Sequence, residues 1–136
     1  MALDDYCNKF SVEAGIKAGL IFPEDKKSQR TLPHIENAIF SIIQEALNNA
    51  KKHSKAKNIM VRFIFTDDKI KVEIRDDGVG FDVSAVTSKY ESRRSLGLVS
   101  MQERAELLGG KVEINSTAGG GTKILVKLPL EKENNL

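Results

Sequence analysis

The chain has 136 residues, 40% hydrophobic and 29% charged, with a single cysteine, Cys7; these proportions predict a folded domain with its own core and exclude a disulfide- or zinc-stapled mini-domain. Its 21 basic and 19 acidic residues are interspersed and leave a formal charge of +2, which favours neither a nucleic acid nor an anionic membrane as partner. The sequence contains no apolar run near the roughly 20 residues of a membrane helix and no secretory signal pattern, so we expect a cytoplasmic protein.

The residue pattern of the N-terminal part predicts a helix, a strand and a loop. Apolar residues from Leu3 to Ala14 recur at helical spacing and stop at Gly15. A short strand is predicted from Ile16 to Phe22, and the polar residues 23–32 predict a surface loop that ends where Pro33 begins a helix.

The strongest helical pattern runs from Ile35 to His53. Its apolar residues fall on one face of a long helix: Ile35, Ile39, Ile42, Ile43, Ala46, Leu47 and Ala50. On a helical wheel Asn48 points to solvent, whereas Glu45, Asn49 and Lys52 form a polar row at the border between core and solvent. His53 falls on the apolar side, which predicts a packed or capping histidine.

A polar border row can line a cleft. Glu45 and Asn49 offer a carboxylate and an amide oxygen to a hard cation such as Mg²⁺, and Lys52 offers an ammonium to a phosphate. Taken alone, an exposed helix flank is the simpler interpretation of the same three residues.

The second half alternates between strand patterns and loops. Apolar residues recur at every second position in residues 59–65 and 70–75, on either side of an Asp67-Asp68 turn, and this pattern predicts two antiparallel strands. Residues 76–96 form a stretch too long for a simple connection.

A second helix is predicted from about Leu98 to Leu108, and a hairpin from Val112 to Leu128 with its turn at residues 119–121. This order predicts an α+β fold in two layers, with helices on one face of a mixed, mainly antiparallel sheet.

Glycines and a carboxylate follow the second predicted strand directly. In Asp76-Asp77-Gly78-Val79-Gly80, strand parity points Asp76 inward and Asp77 outward. The glycines would let a flat ligand approach the backbone, and a carboxylate accepts hydrogen bonds from an exocyclic amine. A plain strand-to-loop turn explains the string as well.

Ser95-Leu96-Gly97-Leu98 opens the second predicted helix. Unpaired amides at a helix N-terminus bind phosphate, although a flexible helix entry is the alternative. Gly119-Gly120-Gly121-Thr122 is by itself a hairpin turn.

Four segments occur in order: residues 45–54, 76–81, 97–105 and 119–122. Together they resemble the catalytic ATP-binding domain of sensor histidine kinases, within the GHKL superfamily. The Glu103-Arg104-Ala105 segment and the Lys52-His53-Ser54 helix end resemble the nitrate-sensor type. The resemblance covers residues 1 to 130 and implies one histidine-kinase-like ATPase domain, residues 1–136, with the two-layer Bergerat fold.

The resemblance implies roles for the helix residues. Asn49 would coordinate the Mg²⁺ that bridges the ATP phosphates, and Glu45 would lie near that metal or its waters. Glu45 is also the candidate for polarising the attacking group or water. Lys52 would contact phosphate.

The resemblance also implies an adenine site and a lid. Asp76 would accept the adenine amino group with support from Thr122, and Gly78 and Gly80 would form the floor under the base. Residues 82–96 would form a mobile ATP lid, after which Gly97 and the amides that follow it, beginning with Leu98, would close on the phosphates. Where many relatives have an additional glycine, this chain has Arg93, Arg94 and Ser95.

The function implied is to hold Mg-ATP and present its γ-phosphate to a histidine on a separate dimerisation domain of the parent kinase, which serves a response regulator in turn. Neither His34 nor His53 has the sequence context of that acceptor, so we expect it in another domain. Any membrane anchor would likewise belong to the parent kinase. The alternatives are a stand-alone GHKL regulator of the anti-sigma serine-kinase type and a nucleotide-binding module without turnover.

Overall fold

A computed structural model describes residues 2–26, 32–83, 85 and 93–130. Its elements follow in chain order: α1 (Ala2–Ala14), β1 (Lys17–Ile21), α2 (Pro33–Asn49), β2 (Asn58–Phe65), β3 (Lys69–Asp76), α3 (Arg93–Leu107), β4 (Lys111–Ser116) and β5 (Thr122–Pro129). Most of the predicted lid, residues 82–96, lies outside the described residues.

The strands form one open, mixed sheet in the order β1-β2-β3-β5-β4. β1 pairs with β2 in parallel, and the other three pairings are antiparallel. The predicted two-layer α+β architecture, with a mainly antiparallel sheet, is therefore confirmed.

Alternation along the strands places the core on one face of the sheet. Val61, Val72 and Val126 on β2, β3 and β5 are almost completely buried and face the apolar side of α2, where Ile42 and Leu47 have no exposed surface. Each such side chain contributes about 1.5–3 kcal/mol through the area it removes from water. The core thus fixes the border row of α2 above one end of the sheet.

The termini of the first two helices agree with the sequence. Gly15 follows α1 with φ +69°, the left-handed conformation of a helix C-cap. Pro33 is the first residue of α2, where its missing N–H costs no hydrogen bond.

Two predicted helix boundaries are wrong. The α-helix predicted to reach His53 ends at Asn49 and continues as a π-helical turn, Ala50–Ser54. The helix predicted from about Leu98 begins five residues earlier, at Arg93. Gly97 had suggested a boundary, but a glycine inside a helix costs only about 1 kcal/mol, and burial of Leu98 and of other apolar residues of α3 outweighs that cost.

Candidate functional site

Two neighbouring pockets lie between α2, α3 and the sheet, and Asn49 lines both of them. The first is an open cleft of about 300 Å³. The second is a narrow space of about 20 Å³ above the sheet. An elongated ligand could therefore extend from one pocket to the other past Asn49. The cleft is lined by Glu45, Asn49, Lys52, His53, Leu96, Gly97 and Ser100, and the narrow pocket by Ala46, Asn49, Ala50, Ser54, Asp76, Phe81, Leu98, Thr122 and Ile124.

Asn49 carries a polar atom that the fold leaves unsatisfied. Its Nδ2 is buried and has no hydrogen-bond partner among the described residues. A buried amide without a partner costs about 1–3 kcal/mol, so Nδ2 is available as a donor to an oxygen that enters the pockets. Its neighbour Asn48 is exposed, as the helical wheel predicts.

The packing of α3 on α2 depends on Gly97. A Cβ added at Gly97 would lie 2.2 Å from Glu45 Oε1 and 3.2 Å from Asn49 Nδ2. The absent side chain therefore lets α3 approach the predicted metal ligands. The prediction that Gly97 lies at a helix N-terminus is wrong, because it is the fifth residue of α3 and its amide lies within the helix.

The π-helical turn changes which side chains face the cleft. Both Lys52 and His53 line it, and His53 is half-buried there. His53 therefore lies at the cleft and not on the apolar side, because a π-turn advances the chain by less rotation per residue than an α-helix and shifts the face of every residue after Asn49. Its role as a packed or capping histidine stays a prediction. The turn ends at Lys55, which has a left-handed φ of +54°.

The glycines after β3 allow close backbone contacts. A Cβ on Gly78 would lie 2.2 Å from the Ser54 carbonyl oxygen, and one on Gly80 would overlap the Thr117 carbonyl oxygen. Gly80 also has φ +67°, which β-carbon-bearing residues rarely adopt. The two glycines thus join the end of the π-turn to the β4–β5 turn beneath the narrow pocket.

Asp76 and Thr122 face each other at the narrow pocket. They are register partners on β3 and β5, and Asp76 Oδ1 accepts a 2.8 Å hydrogen bond from the Gly78 amide. Thr122 Oγ1 lies 2.8 Å from Ser116 Oγ. The inward direction predicted for Asp76 is confirmed, and both side chains sit at the end of the sheet that lies under α2.

The hydrogen bonds of Ser116 determine what Thr122 can offer. Ser116 Oγ donates its one proton to the Gly121 carbonyl and accepts from the Phe81 amide. With that proton given to Gly121, Thr122 is assigned as the donor to Ser116, which leaves its oxygen with acceptor capacity only. An ionised Asp76 is likewise an acceptor, so this corner fits a ligand group that donates hydrogen bonds.

The narrow pocket is smaller than a nucleobase site. Its 20 Å³ is far below the several hundred Å³ typical of small-molecule pockets. Phe81 and Leu98, both buried, form part of its lining. Binding of a flat ring there requires one of these side chains to move.

Asp77, next to the site, serves the fold instead. It is exposed, as predicted, and accepts hydrogen bonds from the Lys57 amide (2.8 Å), the Asn58 amide (3.0 Å) and Asn58 Nδ2 (2.8 Å). These donors, led by the Asn58 side chain, hold the pKa of the Asp77 carboxyl down to about 2. Asp77 therefore fixes the start of β2 to the end of β3.

We expect the Asp77→Asn variant to melt a few degrees below the wild type at neutral pH. Because the folded pKa lies below the usual carboxyl value, this stabilisation is fully present above about pH 4 and is lost as the pH falls through about 2. Thermal melts across that range should show the difference shrinking with acidification. Asp67→Asn, in the exposed β2–β3 turn, is the control, and a difference that persists unchanged at pH 2 would contradict the assignment.

The donor set fits one divalent cation held jointly with a ligand. The described residues contain no cluster of three or more His, Cys, Asp or Glu side chains that could hold a metal ion. Mg²⁺ is commonly bound by one or two protein oxygens together with substrate phosphates, and Glu45 and Asn49 are suited to that arrangement. None of the helices in the described part of the chain is both long enough and apolar enough to span a membrane.

Sequence reasoning missed several lining residues. Ser100 lines the cleft beside Leu96 of the predicted helix entry, because α3 begins earlier than predicted. Ser54 is buried and donates a 2.7 Å hydrogen bond to the Ala50 carbonyl, and Ser116 connects Thr122 to the turn. No periodicity signals these residues, because each depends on contacts between separate elements.

Comparison with known proteins identifies close relatives. A family described as "Histidine kinase-, DNA gyrase B-, and HSP90-like ATPase" matches residues 34–132. An uncharacterised sensor-like histidine kinase from Chloroflexus aurantiacus is 42% identical over 96% of this chain, which covers 22% of that protein. The histidine-protein kinase/phosphatase DegS from Bacillus subtilis is 41% identical over 78% of the chain, 27% of its own length. The chain thus spans about a quarter of these relatives.

A solved structure agrees with the fold. The histidine kinase domain of a blue-light-activated histidine kinase from Erythrobacter litoralis superposes with a TM-score of 0.74 at 18% identity. The match covers 94% of this chain and 59% of that one. At this identity the likeness concerns the fold alone.

Proposed function

The chain belongs to the family of histidine kinase-, DNA gyrase B- and HSP90-like ATPases, and we propose that it binds Mg-ATP across the two pockets and supplies the γ-phosphate to a histidine of a separate dimerisation domain. The observation that carries this proposal is Asn49, whose buried Nδ2 has no hydrogen-bond partner in the described part of the chain and lies where the two pockets meet. A nucleotide has a flat base and a charged tail, which suits the narrow pocket and the cleft respectively.

The base would lie in the narrow pocket. Its acceptor pair, Asp76 and Thr122, suits the amino group of adenine, and Gly78 and Gly80 allow the ring to approach the backbone. Phe81 or Leu98 would move to admit it. The amides near Gly97 would then meet the phosphates only if the first turns of α3 rearrange, because the Gly97 amide is inside the helix in this structure.

The phosphates would lie in the cleft. Glu45 and Asn49 would hold the Mg²⁺, which supplies neutralisation of phosphate charge, and Lys52 would contact phosphate directly. Catalysis in phosphoryl transfer rests chiefly on positioning and charge stabilisation. Glu45 remains our candidate for polarising the attacking group, and residues 82–96 for the lid.

The sensor-kinase assignment is favoured over an anti-sigma-type serine kinase because the relatives named above are sensor kinases. The nitrate-sensor type, a cytoplasmic location and an indirect connection to a response regulator stay predictions. The chain's place in a longer kinase is proposed from the small share of each relative that it covers.

Calorimetric titration with ATP tests the binding step. We expect saturable binding in excess Mg²⁺ that weakens by at least about tenfold in EDTA, because a multiply charged phosphate group loses its counter-ion. Binding that is indifferent to Mg²⁺ would contradict the metal site, and no binding at all would contradict the proposal as a whole.

The transfer step needs an acceptor. The domain is incubated with the histidine-bearing dimerisation domain of the DegS relative and ATP labelled in its γ-phosphate. Acid-labile phosphate on the acceptor histidine is the expected product. ATP binding without transfer would favour a nucleotide-binding module, and acid-stable phosphoserine would favour the serine-kinase alternative.

A further inference from the structure

The outer face of the sheet concentrates positive charge. We use "outer face" for the outward-pointing residues of the five strands, whose neighbours in sequence point into the core. The basic residues outnumber the acidic ones by eight to two, a surplus of six in a chain whose total charge is only +2. The basic residues are Lys17, Arg62, Lys69, Lys71, Arg75, Lys111, Lys123 and Lys127, and the acidic ones are Glu73 and Glu113.

Strand register sets like charges directly opposite each other. Lys127 on β5 is the register partner of Lys71 on β3 and also of Lys111 on β4. Arg75 is opposite Lys123 in the same way. Like charges in directly opposed positions destabilise a sheet, so this arrangement works against folding.

Two glutamates pair with four of these cations but do not neutralise them. Glu113 Oε1 lies 3.2 Å from both Lys111 Nζ and Lys127 Nζ, and the same contacts lower the pKa of its carboxyl. Glu73 likewise contacts Arg75 at 3.4 Å and Lys123 at 3.8 Å.

Each glutamate is therefore shared between two cations, which leaves the network with positive charge in excess. Within the described residues, Lys71 and Arg62 have no ion-pair partner. Lys71, Lys127 and Lys111 form one row across the strands, and Arg75 and Lys123 form a second row about 13 Å away along the strands.

We propose that the outer face docks an acidic surface of a protein partner. Interfaces pair surfaces of opposite charge, so an excess of cations favours an acidic partner. Acidic groups of the partner would also reduce the repulsion between cations that the strand register places opposite each other. Met60, Ile64 and Leu125 lie among the cations on the same face and are exposed or half-buried, so the surface mixes charge with apolar contact as protein interfaces do.

The composition of the face argues against the other polyanions. It carries no aromatic side chain for stacking on bases. Six of its eight cations are Lys, which lacks the bidentate fork of Arg for phosphate. Its extent, about 20 by 25 Å from strand spacing and length, gives roughly 500 Å², the size of one side of a small, transient protein interface.

NMR titration with a polyglutamate peptide of about twelve residues tests the location of binding. We expect shifts of the backbone amides of β3, β5 and β4, weakened by added salt because surface charges are screened within about 10 Å at 0.1 M. Shifts confined to the cleft around Lys52 would overturn the proposal. Tighter binding of an oligothymidylate of equal length, or of phosphatidylserine vesicles, to the same strands would overturn the choice of a protein partner.

Lys71→Glu separates binding from folding. It places a carboxylate opposite Lys127, so we expect the melting temperature to rise by about 1–3 °C at low salt while peptide affinity falls at least about fivefold. Lys9→Glu on α1 makes the same charge change on the helical layer and should alter affinity less than about twofold. Equal losses in the two variants would show a general charge effect and contradict a specific face.

Discussion

Replacing Asn49 with Ala is expected to weaken Mg-ATP binding by at least about 10–100-fold, because loss of even an outer-shell partner typically costs a metal site that much. The same change is expected to raise the free energy of unfolding by about 1 kcal/mol. It removes the buried Nδ2 that has no partner among the described residues and introduces the residue of highest helix propensity. Binding and stability should therefore change in opposite directions.

Asn48→Ala is the matched control. It makes the same substitution one residue earlier in α2, on an exposed side chain, and should leave ATP affinity within about twofold, with a stability gain of only a few tenths of a kcal/mol from propensity. Titration calorimetry and urea denaturation measure the two quantities. Equal affinities of the two variants would refute the assignment of Asn49, and a loss of stability at Asn49 would show that its amide is satisfied.

The sequence alone could identify Asn49 as a site residue because it lies in a regular part of α2. The wheel separates Asn48 from Asn49 because α2 is regular up to that point and its apolar stripe is wide. In the same way, the regular alternation of β3 distinguishes the inward direction of Asp76 from the outward direction of Asp77. Both assignments rest on periodicity, which neighbouring elements do not alter.

The errors begin where periodicity ends. The π-helical turn after Asn49 moves His53 into the cleft, and nothing in residues 50–54 distinguishes that turn from a continued α-helix. The early start of α3 depends on tertiary packing. Later residues of the helix are buried against the rest of the fold, and this burial stabilises the helix as a whole, including its first turn. The hydrogen bonds of Ser116 likewise depend on three segments that only the fold brings together.

The charges of the outer face show the same limit. Along the sequence the basic and acidic residues are interspersed, and their near balance argues against a polyanion partner. The sheet sorts them by parity, so that one face gains a surplus that the chain as a whole lacks. Composition reports the sum of charges, whereas recognition depends on where each face holds them.

Asp76→Asn is expected to abolish the preference for ATP over GTP. Adenine presents an amino donor at its sixth position and guanine a carbonyl acceptor, and the corner formed by Asp76 and Thr122 offers acceptors only, by the proton count at Ser116. A hydrogen bond to a charged group contributes about 1.5–3 kcal/mol, so we expect ATP to bind about 10–100-fold more weakly. The new amide can donate to guanine, so GTP should bind equally well or better.

Asp77→Asn is the control, because it makes the same chemical change on the adjacent residue, whose carboxylate faces away from the pocket and binds Lys57 and Asn58. It should lower stability without altering the ratio of ATP to GTP affinity, whereas Asp76→Asn should alter the ratio and keep the hydrogen bond from the Gly78 amide through the remaining oxygen. Competition titrations of both nucleotides against both variants measure this. An unchanged ratio in Asp76→Asn would mean that the base is recognised elsewhere, and a changed ratio in Asp77→Asn would mean that the turn rather than the carboxylate selects it.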